Sequence, residues 1–359
     1  MPSVRPRRFP LPLLLSGLAI MLLFLVAASA ARGAVSIPIS ECLRILWHRA
    51  GFPVTASIDR QHEAVLLLIR LPRVLLALLV GAGLGISGTA MQGLMRNPLA
   101  DPSLIGISSG GALAATLVFL AGDVAGGVAS MKLVQYPGIF LLPAAAFLGA
   151  LATTLAVYRL SHAAGRMMIA VVLLAGIAIN AIANAFSALL TFFATDTQIR
   201  NVSFWKLGSL GGATWMSVAI LLPCVLLPVI VLTGQGRVLN AFLLGEGEAF
   251  HLGLRVERAK RTIILMVALA AGASVAFTGI IGFVGLVVPH ILRFVTGPDY
   301  RRLLPASALF GAALLLACDL VSRTLVVPAE LPIGIITALG GAPFFLYLLL
   351  RNRKLRFMP

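Results

Sequence analysis

TIILMVALAAGASVAFTGIIGFVGLVVPHILRFV, Thr262–Val295, holds one arginine and one histidine in an otherwise uncharged, mostly apolar run, and the number of times it crosses a bilayer decides the fold. As one helix its roughly 34 residues would rise about 50 Å, well beyond a hydrocarbon core of about 30 Å. Gly279, Gly282 and Gly285 offer a break, because glycine adopts the backbone conformations that end a helix. Split there, the run makes two spans.

Eight more apolar runs flank it: Leu11–Ala31, Leu71–Met95, Pro102–Ala121, Ile139–Leu160, Met168–Ala194, Trp215–Thr233, Leu303–Val327 and Leu331–Leu350. The expected fold is therefore an all-α polytopic membrane protein of ten transmembrane helices, one membrane domain over residues 1–359. Composition agrees: 60% of residues are hydrophobic and 11% charged, a balance unlike that of a soluble globule. Leu11–Ala31 follows Arg5, Arg7 and Arg8 and ends in AASAARG, which resembles a signal-peptidase site, but its length fits an uncleaved first span. Cys42, Cys224 and Cys318 are scattered, so neither a disulfide framework nor a thiolate metal site is expected.

The net charge of +16 is distributed in short clusters between spans, which is how topology is written and not how a nucleic-acid surface is built. With both termini in the cytoplasm, Arg96, Arg159 with Arg166, the loop Arg237–Arg261, Arg293 with Arg301 and Arg302, and the C-terminal RNRKLR all fall inside. Most outer basic residues then lie in one segment, Arg32–Arg73. A second regularity is internal. GISGTAMQGLMRNP (Gly85–Pro98) and AFTGIIGFVGLVVP (Ala276–Pro289) each place a glycine ten residues before a proline, and the two segments run in opposite senses. Spans two to five and seven to ten then form an inverted repeat.

Titratable groups within the spans are few. Asp319, four residues from Arg323, is expected to form a local ion pair near the outer surface. His290 is either a metal or haem ligand or, as favoured here, a helix-start histidine bonded to backbone. Asn180 and Asn184 either line a path or bond neighbouring helices. Gly81, Gly85, Gly106 and Gly110 point to close helix packing. No GxxxxGK[ST] loop is present, so ATP hydrolysis would belong to another polypeptide.

Three ordered stretches carry a family resemblance: RLPRVLLALLVGAGLGISGTAMQGLMRNPLADPSLIGISSGG (Arg70–Gly111), GIIGFVGLVVPHILR (Gly279–Arg293) and ELPIGIITALGGAPFF (Glu330–Phe345). From about Arg70 onward the chain resembles the FecCD-type permease subunits of ABC importers for iron-siderophores, haem and vitamin B12. The resemblance implies a type II importer fold, a homodimer in the bacterial inner membrane, two cytoplasmic ATPase subunits using ATP and Mg, and a periplasmic binding protein. FWKLGSLGGATW (Phe204–Trp215), GPDYRRLLP and PAELPIG look most like haem-uptake permeases, with ferric siderophore or vitamin B12 as alternatives. An ion-coupled secondary transporter is a distant alternative, since it would need intramembrane carboxylates. A membrane enzyme would need a nucleophile with a base, or a metal site, and no such set is apparent.

The resemblance also implies sites. Arg70, Arg73 and Arg323 would dock acidic residues of the binding protein, with interfacial snorkelling as the plain alternative. Asn180, Asn184, Asn201, Phe204 and Leu207 would line the path, with no cofactor or metal held by this chain. Residues 234–261 form a cytoplasmic coupling segment whose centre, LLGEGEAFHLGL (Leu243–Leu254), reads as a short helix ending at Gly253. Glu246 and Glu248 suit its N-terminus. Ala249 and Leu252 would share an apolar face, Gly245 and Gly253 would allow close approach, and the knob would rest in the ATPase.

Overall fold

The computed structural model describes residues 10–33, 35–53, 58–124, 138–163 and 166–356; the Arg5, Arg7 and Arg8 cluster lies outside them. Helix α1, Leu11–Ala31, coincides with the first expected span. A short helix α2, Ile39–Arg49, follows. Helix α3 runs from Arg60 to Leu94 without interruption, with a π-helical stretch over Val65–Arg70. The bundle continues through α4 (Ile107–Val124), α5 (Gly138–Leu160), α6 (Ile169–Phe192), α7 (Asp196–Lys206) and α8 (Trp215–Gly234). Two short helices, α9 (Gly236–Leu244) and α10 (Glu246–His251), precede α11 (Val256–Thr278). The last spans are α12 (Val284–Thr296), α13 (Tyr300–Thr324) and α14 (Ile333–Arg356). Between α5 and α6, β1 (His162–Ala163) pairs antiparallel with β2 (Arg166–Met167).

Among the described residues seven helices are long and apolar enough to cross a membrane, and three shorter apolar stretches lie in α4, α12 and α14, ten in all as expected. The deciding run breaks where expected. Helix α11 ends at Thr278, Gly279 has φ 71° and Phe283 φ 68°, and α12 begins at Val284. Unwound backbone survives at membrane depth only where protein satisfies it. Here the Ser209 N–H donates to the Thr278 carbonyl at 2.8 Å, and a Cβ at Gly279 would lie 2.1 Å from the Trp205 carbonyl oxygen.

Helix α3 forms the centre of the bundle, packed against α8, α11, α12 and α13. Small residues let backbones approach in a membrane, where lipid tails give helices no hydrophobic reason to associate. A Cβ at Gly81 would sit 2.3 Å from the Gly311 carbonyl oxygen, at Gly85 2.4 Å from that of Ser307, and at Gly88 2.0 Å from that of Gly285. Gly110 meets Gly149 and Thr153 of α5 in the same way. The Thr89 hydroxyl adds a hydrogen bond to Ser307 Oγ at 2.7 Å. The two segments assigned to the inverted repeat thus touch each other, at Gly88 and Gly285.

Two elements differ from the expectation. The second span starts eleven residues before Leu71, and α2 lies in what was read as an outer loop. Helix α2 is amphipathic. Cys42 and Ile45 are buried with Ala30, Ile37 and Leu66, while Ser40, His48 and Arg49 are exposed together with Ile39, Leu43 and Trp47, and a short helix of this mixed composition is invisible to a count of long apolar runs.

Candidate functional sites at the two ends of the bundle

Helices α3 and α13 run antiparallel, so Arg73 meets Asp319 at one end and Gly93 meets Tyr300 at the other. Helix α8 starts at the Arg73 end, where Trp215 Nε1 donates to the Leu67 carbonyl at 2.9 Å, and delivers α9 and α10 to the opposite end.

At the α10 end, α9 begins after Gln235, whose carbonyl accepts the Leu239 N–H at 3.0 Å, and Leu239, Ala241 and Phe242 are buried. Asn240 fixes α9 to the start of α13: its amide donates to Asp299 Oδ1 at 2.7 Å and its oxygen accepts the Tyr300 N–H at 2.9 Å. Burial pushes the Asp299 carboxyl up, but hydrogen bonds from Asn240 and the Arg301 N–H, with the charges of Arg301 and Arg302, outweigh it and hold the group below the ordinary value. Helix α10 forms where Leu243–Leu254 was expected to form one. Gly245 (φ 121°) starts it and Gly253 (φ 79°) follows its end, where the Leu254 N–H reaches the Ala249 carbonyl at 3.2 Å.

The knob has a different exposed face from the one expected. Ala249 is completely buried, whereas Leu252 is 64% and Phe250 68% exposed, with Leu243 and Leu244 beside them. Ala249 and Leu252 do not share a surface, because Leu252 is past the last helical residue and the chain has begun to turn. Within the chain a Cβ on Gly245 or Gly253 would meet nothing within 4 Å, so what glycine supplies to the fold there is backbone φ. Glu248 is exposed, but Glu246 turns back to Lys260 Nζ at 2.6 Å. A groove of about 640 Å³ runs between α10 and the start of α11, lined by Glu246, Phe250, Gly253, Leu254 and Glu257.

At the other end the three arginines are buried. Arg73 donates through Nε to Asp319 Oδ1 at 2.9 Å and through Nη1 to both Glu330 oxygens at 2.8 Å. Arg323 faces Asp319 Oδ2 at 3.5 Å, the expected pair on one helix, and donates to the Ser29 carbonyl at 2.6 Å. Arg70 serves the carbonyls of Ala30, Ala31 and Val35. Each of the three arginines expected to dock a binding protein is thus also occupied within the chain. Glu330, its side chain 46% exposed, is the accessible edge of the cluster. A cavity of about 180 Å³ opens above Arg70, Arg73, Arg323 and Glu330.

The residues expected along a path divide. Asn180 is spent between helices, bonding Ser109 Oγ and donating to the Ser103 carbonyl at 3.1 Å. Asn184, one turn on, is exposed, as are Asn201, Phe204 and Leu207 on and beside α7. His290 is inside α12 and not at a helix start; its ring packs edge-on to Phe294, Phe344 and Phe345. Sequence reasoning missed Lys260 and Glu330. Glu257, three residues before Lys260, was the one local signal available for the first.

Comparison with known proteins places these two ends in a family. Residues 21–351 match the FecCD transport family. The chain is 44% identical over 353 residues to the hemin transport system permease protein HmuU of Yersinia pestis, covering 98% of both. It is 42% identical over 304 residues to the cobalamin import system permease protein BtuC of Halobacterium salinarum, covering 85% of this chain and 78% of that one. A solved structure described as a metal-chelate type ABC transporter, in an inward-facing conformation, superposes with a TM-score of 0.80 at 30% identity over 95% of this chain and 99% of that one. The helical membrane architecture agrees with that neighbour, and the chain belongs to the FecCD transport family as a multi-span membrane permease.

Proposed function

We propose that this permease is the membrane subunit of an ATP-driven importer that carries haem inward between two copies of the chain. The observation that carries the cargo is 44% identity, over nearly the full length, to a hemin transport permease. In this reading the protein sits in a bacterial inner membrane with both termini in the cytoplasm. The apolar tip Leu243, Leu244, Phe250 and Leu252 rests in a separate ATPase subunit that binds ATP and Mg. Four exposed apolar side chains around a six-residue helix are a poor solvated loop and a fitting knob for a cleft. Exposed Asn184 lies on a face of α6 with exposed Ile177, Ala181 and Ala188, where a second copy, not lipid, would suit an amide. At the opposite end an acidic residue of a binding protein would reach Arg73 by displacing Glu330, which keeps the guanidinium doubly bonded throughout.

The test is the ATPase activity of the complete complex in proteoliposomes. Haem-loaded binding protein is expected to stimulate hydrolysis, and stimulation by a ferric siderophore or by cobalamin with none by haem would overturn the cargo. Transport is also expected to survive His290→Ala, because the ring is held among phenylalanines and a tight axial ligand would trap the cargo.

A further inference from the structure

Lys260 is the third of the chain's four lysines and is 1% exposed. A buried ammonium is costly unless its three N–H groups are satisfied. All three are, and each partner lies on a different element. Nζ is 2.6 Å from Glu246 Oε2 on α10, 3.1 Å from Glu257 Oε1 on its own helix α11, and 2.9 Å from the Met167 carbonyl on β2. Glu257 closes the ring by accepting the Met167 N–H on its other oxygen at 3.1 Å. Strand β2 stands two residues before α6.

Helix α10 has few other attachments. Of its six residues only Ala249 is buried, and Glu246–Lys260 is the ion pair that joins it to the rest of the chain among the described residues. The groove between α10 and α11 leaves their facing surfaces otherwise apart. A displacement of the knob therefore reaches the spans by the packing of buried Ala249 and of α10 on α9, by the covalent turns at its ends, and by this ammonium. The turns lead only to α9 and α11, whereas the ammonium also reaches the α5–α6 connection.

Resting on the proposed function above, we infer that Lys260 is the positioning residue that transmits movement of α10 to α6 and α11 together. A rigid-body input at the knob becomes a joint shift of two spans, because a doubly bonded carboxylate and a backbone carbonyl cannot separate from the ammonium without leaving a buried charge unmatched. The role is mechanical: no bond is made or broken covalently, and the residue touches neither nucleotide nor cargo.

The experiment uses the complete complex in proteoliposomes with three permease variants, Lys260→Met, Lys260→Arg and Glu246→Gln. Lys260→Met is expected to insert and to retain its ATPase subunit, while haem transported per ATP hydrolysed falls about tenfold, within the usual range of coupling between sites. Glu246→Gln is expected to give a smaller loss, the double variant no more than Lys260→Met alone, and Lys260→Arg to restore most of the ratio. A second readout needs no cargo. Trapping the ATPase with ATP and vanadate is expected to change amide exchange across residues 162–172 in the unaltered protein and in Lys260→Arg, but not in Lys260→Met. An unchanged transport ratio and an unchanged exchange response in Lys260→Met would overturn the inference. Should that variant fail to insert, Glu246→Gln decides by the same two readouts. Loss of the exchange response in the unaltered protein would count against the ATPase-docking reading itself, so the two failures are distinguishable.

Discussion

The Arg73 end and the α10 end of the bundle differ in how they treat charge. At the first, Arg73, Arg323 and Asp319 are buried, with Asp319 hydrogen-bonded to Arg73 and 3.5 Å from Arg323, and Glu330 at the rim. At the second, one lysine is buried and the tip is greasy and exposed. A closed cluster of opposite charges fixes helices in register, since breaking any pair leaves a buried charge unmatched. An exposed apolar tip on a short helix contributes little to its own fold and is best explained by a partner. The first end holds the bundle together; the second is the one proposed to receive force from a partner.

This contrast gives a graded set of expected outcomes. The largest is Arg73→Leu, which removes the hydrogen-bonded partner of buried Asp319, leaving only Arg323 at 3.5 Å, and should cost on the order of 3–5 kcal/mol, read as a large fall in the detergent melting temperature. Asp319→Asn should cost less, because the amide still accepts from Arg73. A melting temperature unmoved by Arg73→Leu would remove the distinction between the ends. Next is Gly253→Val at φ 79°, where a β-branched residue should cost about 1–2 kcal/mol locally. It should leave the melting temperature nearly unchanged while weakening ATPase co-purification, because α10 is peripheral to the core. Glu330→Gln is smaller again at the fold level. It removes one charge from a half-exposed partner of Arg73 and should strengthen binding-protein docking in a low-salt pull-down, the arginine being freer to accept a new carboxylate. Weaker docking in that variant would show that Glu330 contacts the partner directly.

The smallest effect concerns pH. Asp299 is held below the ordinary carboxylate value, so its contribution is present above about pH 4 and is lost as pH falls through the lower folded-state value. Asp299→Asn should therefore be less stable than the unaltered chain near neutrality, with the gap closing in acid. A gap that widened in acid would contradict the assigned partners.

Much of this was legible in the sequence because bilayer thickness is a ruler. The first span, the break at Gly279 and the packing glycines of α3 follow from run length and small-residue spacing. The start of α3 was not legible, because Arg60–Ala64 is polar and its helix is continued by the span it feeds. The knob's existence was legible from two glycines around a short charged stretch, but its exposed face was not. Which side of a six-residue helix turns inward depends on α9 and α11, and a local pattern of Ala249 and Leu252 carries no information about them. The arginine cluster failed for a similar reason: Asp319 and Glu330 lie 246 and 257 residues from Arg73 in sequence. Only Arg323, on the same helix as Asp319, could be paired in advance.

The central claim is that the α10 tip is an interface while the Arg73 end is a scaffold. It is tested most directly by co-purifying the ATPase subunit with a permease carrying Phe250→Asp and Leu252→Asp, with the melting temperature of the same sample recorded. Both side chains are more than half exposed, so folding should be indifferent to them. The predicted result is a lost ATPase subunit at an unchanged melting temperature. Full retention of the subunit by the doubly substituted permease would contradict the account.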